Sequence, residues 1–340
     1  MTSATDSPRF VNSSIEEQCA KQYGIPNLQL ALEGLHQDGM VVLSGVVNVD
    51  HCTKLYDYMA TDKSRLMEER HANGEGFNQG VKSNILQCAP LTKPELLFDD
   101  VNFNPFVIQV LNAYLGYQPR WIFSTGNNAL SGTNGMRQPV HKDTRYRHPK
   151  CPFLVVANTA ICDFTIENGA TEFWLGTHAF TDETCQTTVD SKDIQRDATA
   201  SWKSVIGDPS TPIRPEAVEA RRQIRPPIQA LMKKGDVMLR DMRTWHAGMP
   251  NETDKDRIML AQAWAAPWYP NYTCRLELPA SNAEYFLSRA KKYPMQLQAE
   301  MVSDKQLEDN QHRDNFSFSP SEYLEHYKTA PKNYQYPFQY

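Results

Sequence analysis

The sequence predicts a mainly β fold flanked by helices, and three observations carry that prediction. After residue 120 the apolar runs are short, rich in β-branched and aromatic residues, and separated by turn residues, at 121–124, 153–161, 171–175, 228–232, 236–240 and 257–264. No helices intervene between most of them, so they read as a sandwich, barrel or jelly roll rather than as βαβ units. The composition, 40% hydrophobic and 22% charged, is that of a globular chain with enough apolar residues for a sizeable core.

Residues 1–24 are polar and read as a loose leader. Leu28, Leu30, Leu32 and Leu35 then mark a helix-like stretch that stops at Gly39. Met40-Val-Val-Leu43, bounded by Ser44-Gly45, has the form of a buried strand. Asp50 can cap a second helix through Tyr58 and Met59, and residues 25–117 together read as a helical N-terminal part. Three glycines between Glu69 and Gly80 predict a loop long enough to cover a site.

Residues 118–268 read as the β core, interrupted at 179–226 by a polar, charge-rich insertion of the kind that forms a lid. Residues 269–340 follow as a C-terminal part, helix-like over 282–293 and ending Asn-Tyr-Gln-Tyr-Pro-Phe-Gln-Tyr. Four aromatics in those last eight residues are costly to leave in water, so the tail is expected to pack on the body or, as a homodimer, on a partner subunit. The whole chain, 1–340, reads as one domain.

The formal net charge of -5 comes from interspersed acids and bases, which lack the one-sign field of a nucleic-acid or anionic-membrane binder. No stretch reaches the roughly 18 apolar residues of a membrane span, and the first residues lack a secretory pattern. The seven cysteines are odd in number and never spaced Cys-x-x-Cys, as expected of reduced thiols. A cytoplasmic protein acting on a small, roughly neutral molecule is the expectation.

The chemistry is carried by residues 138–148, Gln-Pro-Val-His-Lys-Asp-Thr-Arg-Tyr-Arg-His. His141 and Asp143 are two apart, so on an extended strand imidazole and carboxylate point to one face. A third ligand is best supplied by His246, where the 236–240 strand runs through a short turn. Two histidines and a carboxylate form the facial set that leaves positions open on Fe(II) for a chelating cosubstrate and O2. A dicarboxylate cosubstrate also needs its far end neutralised, and Arg257, at the head of the next strand, offers a planar fork.

His141-x-Asp143, His246 and Arg257 in this order, with Glu167-Asn-Gly-Ala-Thr-Glu-Phe-Trp-Leu-Gly-Thr-His178 between them, resemble the phytanoyl-CoA dioxygenase family of Fe(II)/2-oxoglutarate oxygenases. Ser83-Asn-Ile-Leu-Gln-Cys-Ala-Pro90 and Gln138 make it more similar to the fungal natural-product branch. The resemblance implies a double-stranded β-helix, a distorted cupin-like jelly roll, with helical N- and C-terminal additions. It implies Fe(II) held by His141, Asp143 and His246, 2-oxoglutarate held by Arg257 with Gln138 and Thr171, and oxidation of an unactivated C–H bond of a small secondary metabolite, with release of succinate and CO2. The outcome could be hydroxylation, desaturation, epoxidation or rearrangement. Asn84, Thr144 and Tyr146, in or beside motif segments, are candidate substrate contacts.

Three other readings stand beside this one: an acyl-CoA 2-hydroxylase, with Arg145, Arg147 and His148 receiving phosphates; a redox-silent cupin-type metalloenzyme; and a non-catalytic binding protein. Arg257 argues against the second, since a metal that only activates water needs no cosubstrate clamp. Asp241 and Arg243 either orient His246 or pair with each other; His178 and Trp245 read as structural.

Overall fold

The computed structural model describes residues 7–73, 77–78, 83–144, 148–190, 207, 209–269 and 276–310. The strands in chain order are β1 (Phe10–Asn12), β2 (Met40–Ser44), β3 (Asn84–Gln87), β4 (Arg120–Ala129), β5 (Leu154–Ala160), β6 (Glu172–Trp174), β7 (Gln186–Thr188) and β8 (Pro209–Ile213). They continue with β9 (Ile228–Gln229), β10 (Val237–Asp241), β11 (Trp245–Ala247), β12 (Arg257–Ala265), β13 (Leu276–Pro279), β14 (Gln296–Leu297) and β15 (Ala299–Val302).

The main sheet has the order β1-β2-β10-β5-β12-β4-β14, with β3 also paired to β4, and a second sheet runs β11-β6-β9. Its central pairings are antiparallel, and β1 and β14 join parallel at the two ends. All nine residues of β12 are buried, so this strand is covered on both faces.

Strand alternation divides the main sheet into two working surfaces. Ile258, Leu260 and Trp264 of β12, with Val155, Val237 and Leu239, face a large core that includes Leu35 of helix Ile25–Gln37 and Leu111 of helix Pro105–Leu115. Trp121 and Trp264 stack there at 6.0 Å. Burying side chains of this size contributes about 2–3 kcal/mol each. The opposite face carries Met238 and Met259, which pack with Phe173 of β6 and Ile228 of β9, so the second sheet covers part of it.

Several expected boundaries move. Within the expected leader, residues 7–24 hold β1 and helix Ile15–Ala20, whose capping box joins Ser14 and Glu17; residues 1–6 lie outside the described set. β1 is held because Phe10, Val11 and Asn12 pair in register with Val42, Leu43 and Ser44. The helix begun near Asp50 runs Val49–Asn73, into the predicted 69–80 loop, because nothing before Gly74 breaks it. The N-terminal part also gives β2 and β3 to the main sheet. Of the 179–226 insertion, the described portions form the β7–β8 pair and helix Pro215–Ile224, while 191–206 and 208 lie outside the described residues. The expected helix over 282–293 is Ala283–Ala290, and the aromatic tail, with any dimer through it, lies outside the described residues.

Gly39 fastens the start of β2 to the end of β10 and the turn that follows it. Its carbonyl accepts from Asp241 N at 2.9 Å and from Thr244 Oγ1 at 3.1 Å. Its φ is 78°, and a Cβ there would meet Thr244 Oγ1 and lie 2.6 Å from His178 Nδ1. Gly39→Ala is therefore expected to cost about 3 kcal/mol from backbone strain and overpacking, read as a lowered denaturant midpoint; an unchanged midpoint would refute this account.

Candidate metal centre

His246 sits in β11 and pairs across the second sheet with Phe173 of β6. On its other side His141 N donates to His246 O and His246 N donates to His141 O, both at 2.9 Å. His141 in turn forms a single-residue bridge with Pro212 of β8. Directly opposed residues of an antiparallel pair project their side chains to one face, and the two imidazole centroids lie 4.2 Å apart. Asp143, two residues on, returns to that face, whereas Lys142 between them turns away and places Nζ 3.0 Å from His148 Nε2.

The hydrogen bonds select the tautomers. His141 Nδ1 lies 2.9 Å from the Pro139 carbonyl and His246 Nδ1 lies 3.1 Å from the Thr244 carbonyl. A carbonyl only accepts, so each Nδ1 carries the proton and each Nε2 presents a lone pair. Both Nε2 atoms lie 3.6 Å from Asp143 Oδ1. Ligand atoms of the three residues fall within 4.8 Å of one another, close enough to share one ion.

Electrostatics agrees with that donor set. Burial holds the His141 and His246 pKa values below the ordinary imidazole value, so both are neutral at pH 7. Burial alone would raise the Asp143 carboxyl, but neighbouring positive charge, including the Arg240 guanidinium, overrides it and holds the group well below the usual range. Two neutral nitrogens and one anionic oxygen suit a borderline divalent metal.

These residues line a cavity of about 180 Å³ between the two sheets. Its floor is the second face of the main sheet in successive rows, Leu86–Asn127–Met259, Thr125–Ala261–Asn158–Met238 and Phe123–Ala263–Val156–Arg240. Arg257 lies on the same wall, 1% exposed, with its guanidinium 4.6 Å over the Phe164 ring. Its nearest polar partner among the described residues is Met259 Sδ at 3.7 Å, and its Nε has no partner there. Burial pushes its pKa down to about 10, which leaves it cationic at neutral pH. Among the described residues no carboxylate pairs with this buried guanidinium, a costly arrangement for a cation that serves only the fold.

The other expected residues divide. Gln138 reaches the cavity and braces the turn after His246, its Oε1 accepting from Gly248 N at 2.8 Å. Thr171 and Asn84 also line the cavity, and Asn84 Nδ2 lies 3.5 Å from Asn127 Oδ1. Thr144 does not: it is fully buried and absent from the lining, because it falls on the strand face opposite Asp143. Tyr146 lies outside the described residues. Asp241 and Arg243 pair with each other through two 2.8 Å bonds, joined by Tyr114 OH at 2.9 Å. They reach His246 only through the backbone of Thr244. His178 Nε2 meets the His36 carbonyl at 3.2 Å and Trp245 packs near Trp174.

Sequence reasoning missed Arg240, whose Nη2 donates to Asp143 Oδ2 at 2.8 Å. The available signal was a charged pair, Arg240-Asp241, closing the apolar run Val-Met-Leu of a buried strand. It also missed Asn127 and Asn158, polar residues on the inward face of β4 and β5.

The sequence profile of the phytanoyl-CoA dioxygenase family matches residues 35–259. The chain is 25% identical over 224 residues to the iron/alpha-ketoglutarate-dependent dioxygenase ausO of Aspergillus calidoustus, a match covering 63% of this chain and 60% of that one. Among solved structures it is similar to the epimerase SnoN in complex with Fe3+, alpha ketoglutarate and nogalamycin RO, at 13% identity and TM-score 0.48, over 83% of this chain and 98% of the other. AviO1 of Streptomyces viridochromogenes Tue57 is similar at 17% identity and TM-score 0.44, over 73% and 99%.

Acid should unfold the metal-free protein in a defined order. His141, His148, His178 and His246 all have pKa values lowered by burial, His148 to about 3, so below pH 6.5 the unfolded chain binds protons that the folded one does not. Stability therefore falls as pH drops through 6.5, and falls further below 3.8 as Asp143 and Asp241 lose their bonded, ionised state. Denaturant midpoints of the metal-free protein at pH 7.5, 6 and 5 check this: equal midpoints would show that the histidines are not buried as neutral groups.

Proposed function

The chain belongs to the phytanoyl-CoA dioxygenase family, and from that premise we propose that it is an Fe(II)/2-oxoglutarate-dependent oxygenase acting on a small secondary metabolite. The reading includes a double-stranded β-helix core within one domain over 1–340, and a cavity open to a natural-product substrate. The observation that carries it is the placement, on one cavity, of a three-donor cluster and a buried arginine with no counter-ion among the described residues.

His141, Asp143 and His246 would hold Fe(II), each histidine through Nε2 because its Nδ1 proton is given to a backbone carbonyl. Arg257 would receive the distal carboxylate of 2-oxoglutarate, a countercharge it lacks among the described residues; Thr171, which lines the cavity from the second sheet, adds a hydroxyl, and Gln138 an amide beside the three donors. Iron, 2-oxoglutarate and O2 together supply the oxidation of an unactivated C–H bond of the substrate, with release of succinate and CO2. The protein's contribution is to bind, orient and exclude water. Phe123, Val156, Ala263 and Met238 form an apolar floor that shields the reacting carbon, while the amides of Asn84, Asn127 and Asn158 offer hydrogen bonds that fix which carbon faces the metal.

No helix among the described residues is long and apolar enough to cross a membrane. The chain spans about 60% of the length of the curated relative it matches, and the substrate proposed here is a class rather than a compound.

Anaerobic addition of Fe(II) and then 2-oxoglutarate should give the visible charge-transfer band of a chelated keto acid, absent in His246→Ala. Arg257→Gln should retain Fe(II) and weaken 2-oxoglutarate by about 100-fold, the scale for removing one partner of a buried charge pair. Bound metal without the band in the wild-type protein would sink the proposal.

A further inference from the structure

Arg240 lies on β10, on the cavity face beside Val156 and Met40, and is 6% exposed. Its Nη2 donates to Asp143 Oδ2 at 2.8 Å, and Nη1 is buried with no hydrogen-bond partner among the described residues. A guanidinium that served the fold would be expected to satisfy its donors within a network, as Arg243 does by giving Nε and Nη2 to Asp241. Asp143 is the one hydrogen-bond partner found for the Arg240 side chain among the described residues.

The bond divides the carboxylate. Oδ2 is engaged by Arg240, while Oδ1 lies 3.6 Å from the Nε2 atoms of both histidines. A carboxylate that offers both oxygens to a metal occupies two positions, whereas one that offers a single oxygen leaves the remaining face open. We propose that Arg240 is a positioning residue of the metal centre, which reserves Asp143 Oδ2 so that Asp143 presents only Oδ1 beside the two histidines. The proposal rests on the metal-binding reading of His141, Asp143 and His246 and assigns a residue that this reading does not use. The orientation is enforced from the opposite sheet: Arg240 sits in the main sheet, Asp143 on the segment paired with β11, so the contact also ties the two sheets together at the site.

The test uses the full chain and Co(II), a visible stand-in for Fe(II), in the absence of substrate. Arg240→Met removes the donor and keeps an apolar side chain of similar length. It is expected to weaken Co(II) binding by about 10- to 100-fold, the range for loss of a group that orients a ligand, and to change the intensity and position of the visible Co(II) bands as the coordination changes. Arg240→Lys keeps a single cationic donor and should restore most of the affinity and the wild-type spectrum, a rescue that a purely space-filling role would not give. Should the methionine variant fail to fold, Arg240→Leu, which also lacks a donor, compared with the lysine variant, reads the same two quantities. Wild-type affinity and spectrum in the methionine or leucine variant would overturn the proposal. Failure of the wild-type chain itself to bind Co(II) would overturn the metal reading instead.

Discussion

Two backbone hydrogen bonds, from His141 N to His246 O and from His246 N to His141 O, fix the geometry on which the site depends. They oppose two residues more than a hundred positions apart and turn both imidazoles to one face. The alternation of an extended chain then returns Asp143 to the same place and sends Lys142 into the interior behind it. Removing that register by one residue would exchange Asp143 for Lys142 and place a cation where a ligand belongs.

The register is in turn braced from three directions. Gln138 closes the turn after His246 through Gly248 N, and a Cβ at Gly248 would lie 2.7 Å from the Gln138 Oε1 and push that side chain from its place. The turn before His246 is fixed by the Asp241–Arg243 fork and by Gly39, and its Thr244 carbonyl selects the His246 tautomer. β8 supports His141 from the far side through Thr211 and Pro212, which gives the described part of the 179–226 insertion a place in the wall of the site. Backbone carbonyls act here as orienting partners for the two imidazoles of the donor cluster.

Three arginines near the site show how burial and pairing set different uses for one residue type. Arg243 gives its fork to Asp241 and is neutralised within the fold. Arg240 is held to one oxygen of Asp143. Arg257 is enclosed by Phe164 and Met259 and meets no carboxylate among the described residues, which is the feature the proposed cosubstrate site rests on.

The His-x-Asp pair, the histidine after the apolar 236–240 run and the arginine heading the next strand were legible because each depends on local spacing or residue chemistry. So were six of the strands of the two sheets, whose alternation or continuous apolarity follows from burial of one face or both, whereas the short β3 and β11 were not. The extension of β4 to Ala129 and the ordering of residues 10–12 as β1 were not legible, because their polar residues pair with strands distant in the chain. Arg240 and Thr144 mark the same boundary at the site. Sequence named the three donors that the fold brings together and the arginine that shares their cavity, since valence, charge and strand period are properties of the chain. Which arginine meets which carboxylate, and which threonine reaches the cavity, only the tertiary structure decided, because pairing across two sheets is fixed by register and not by proximity in sequence.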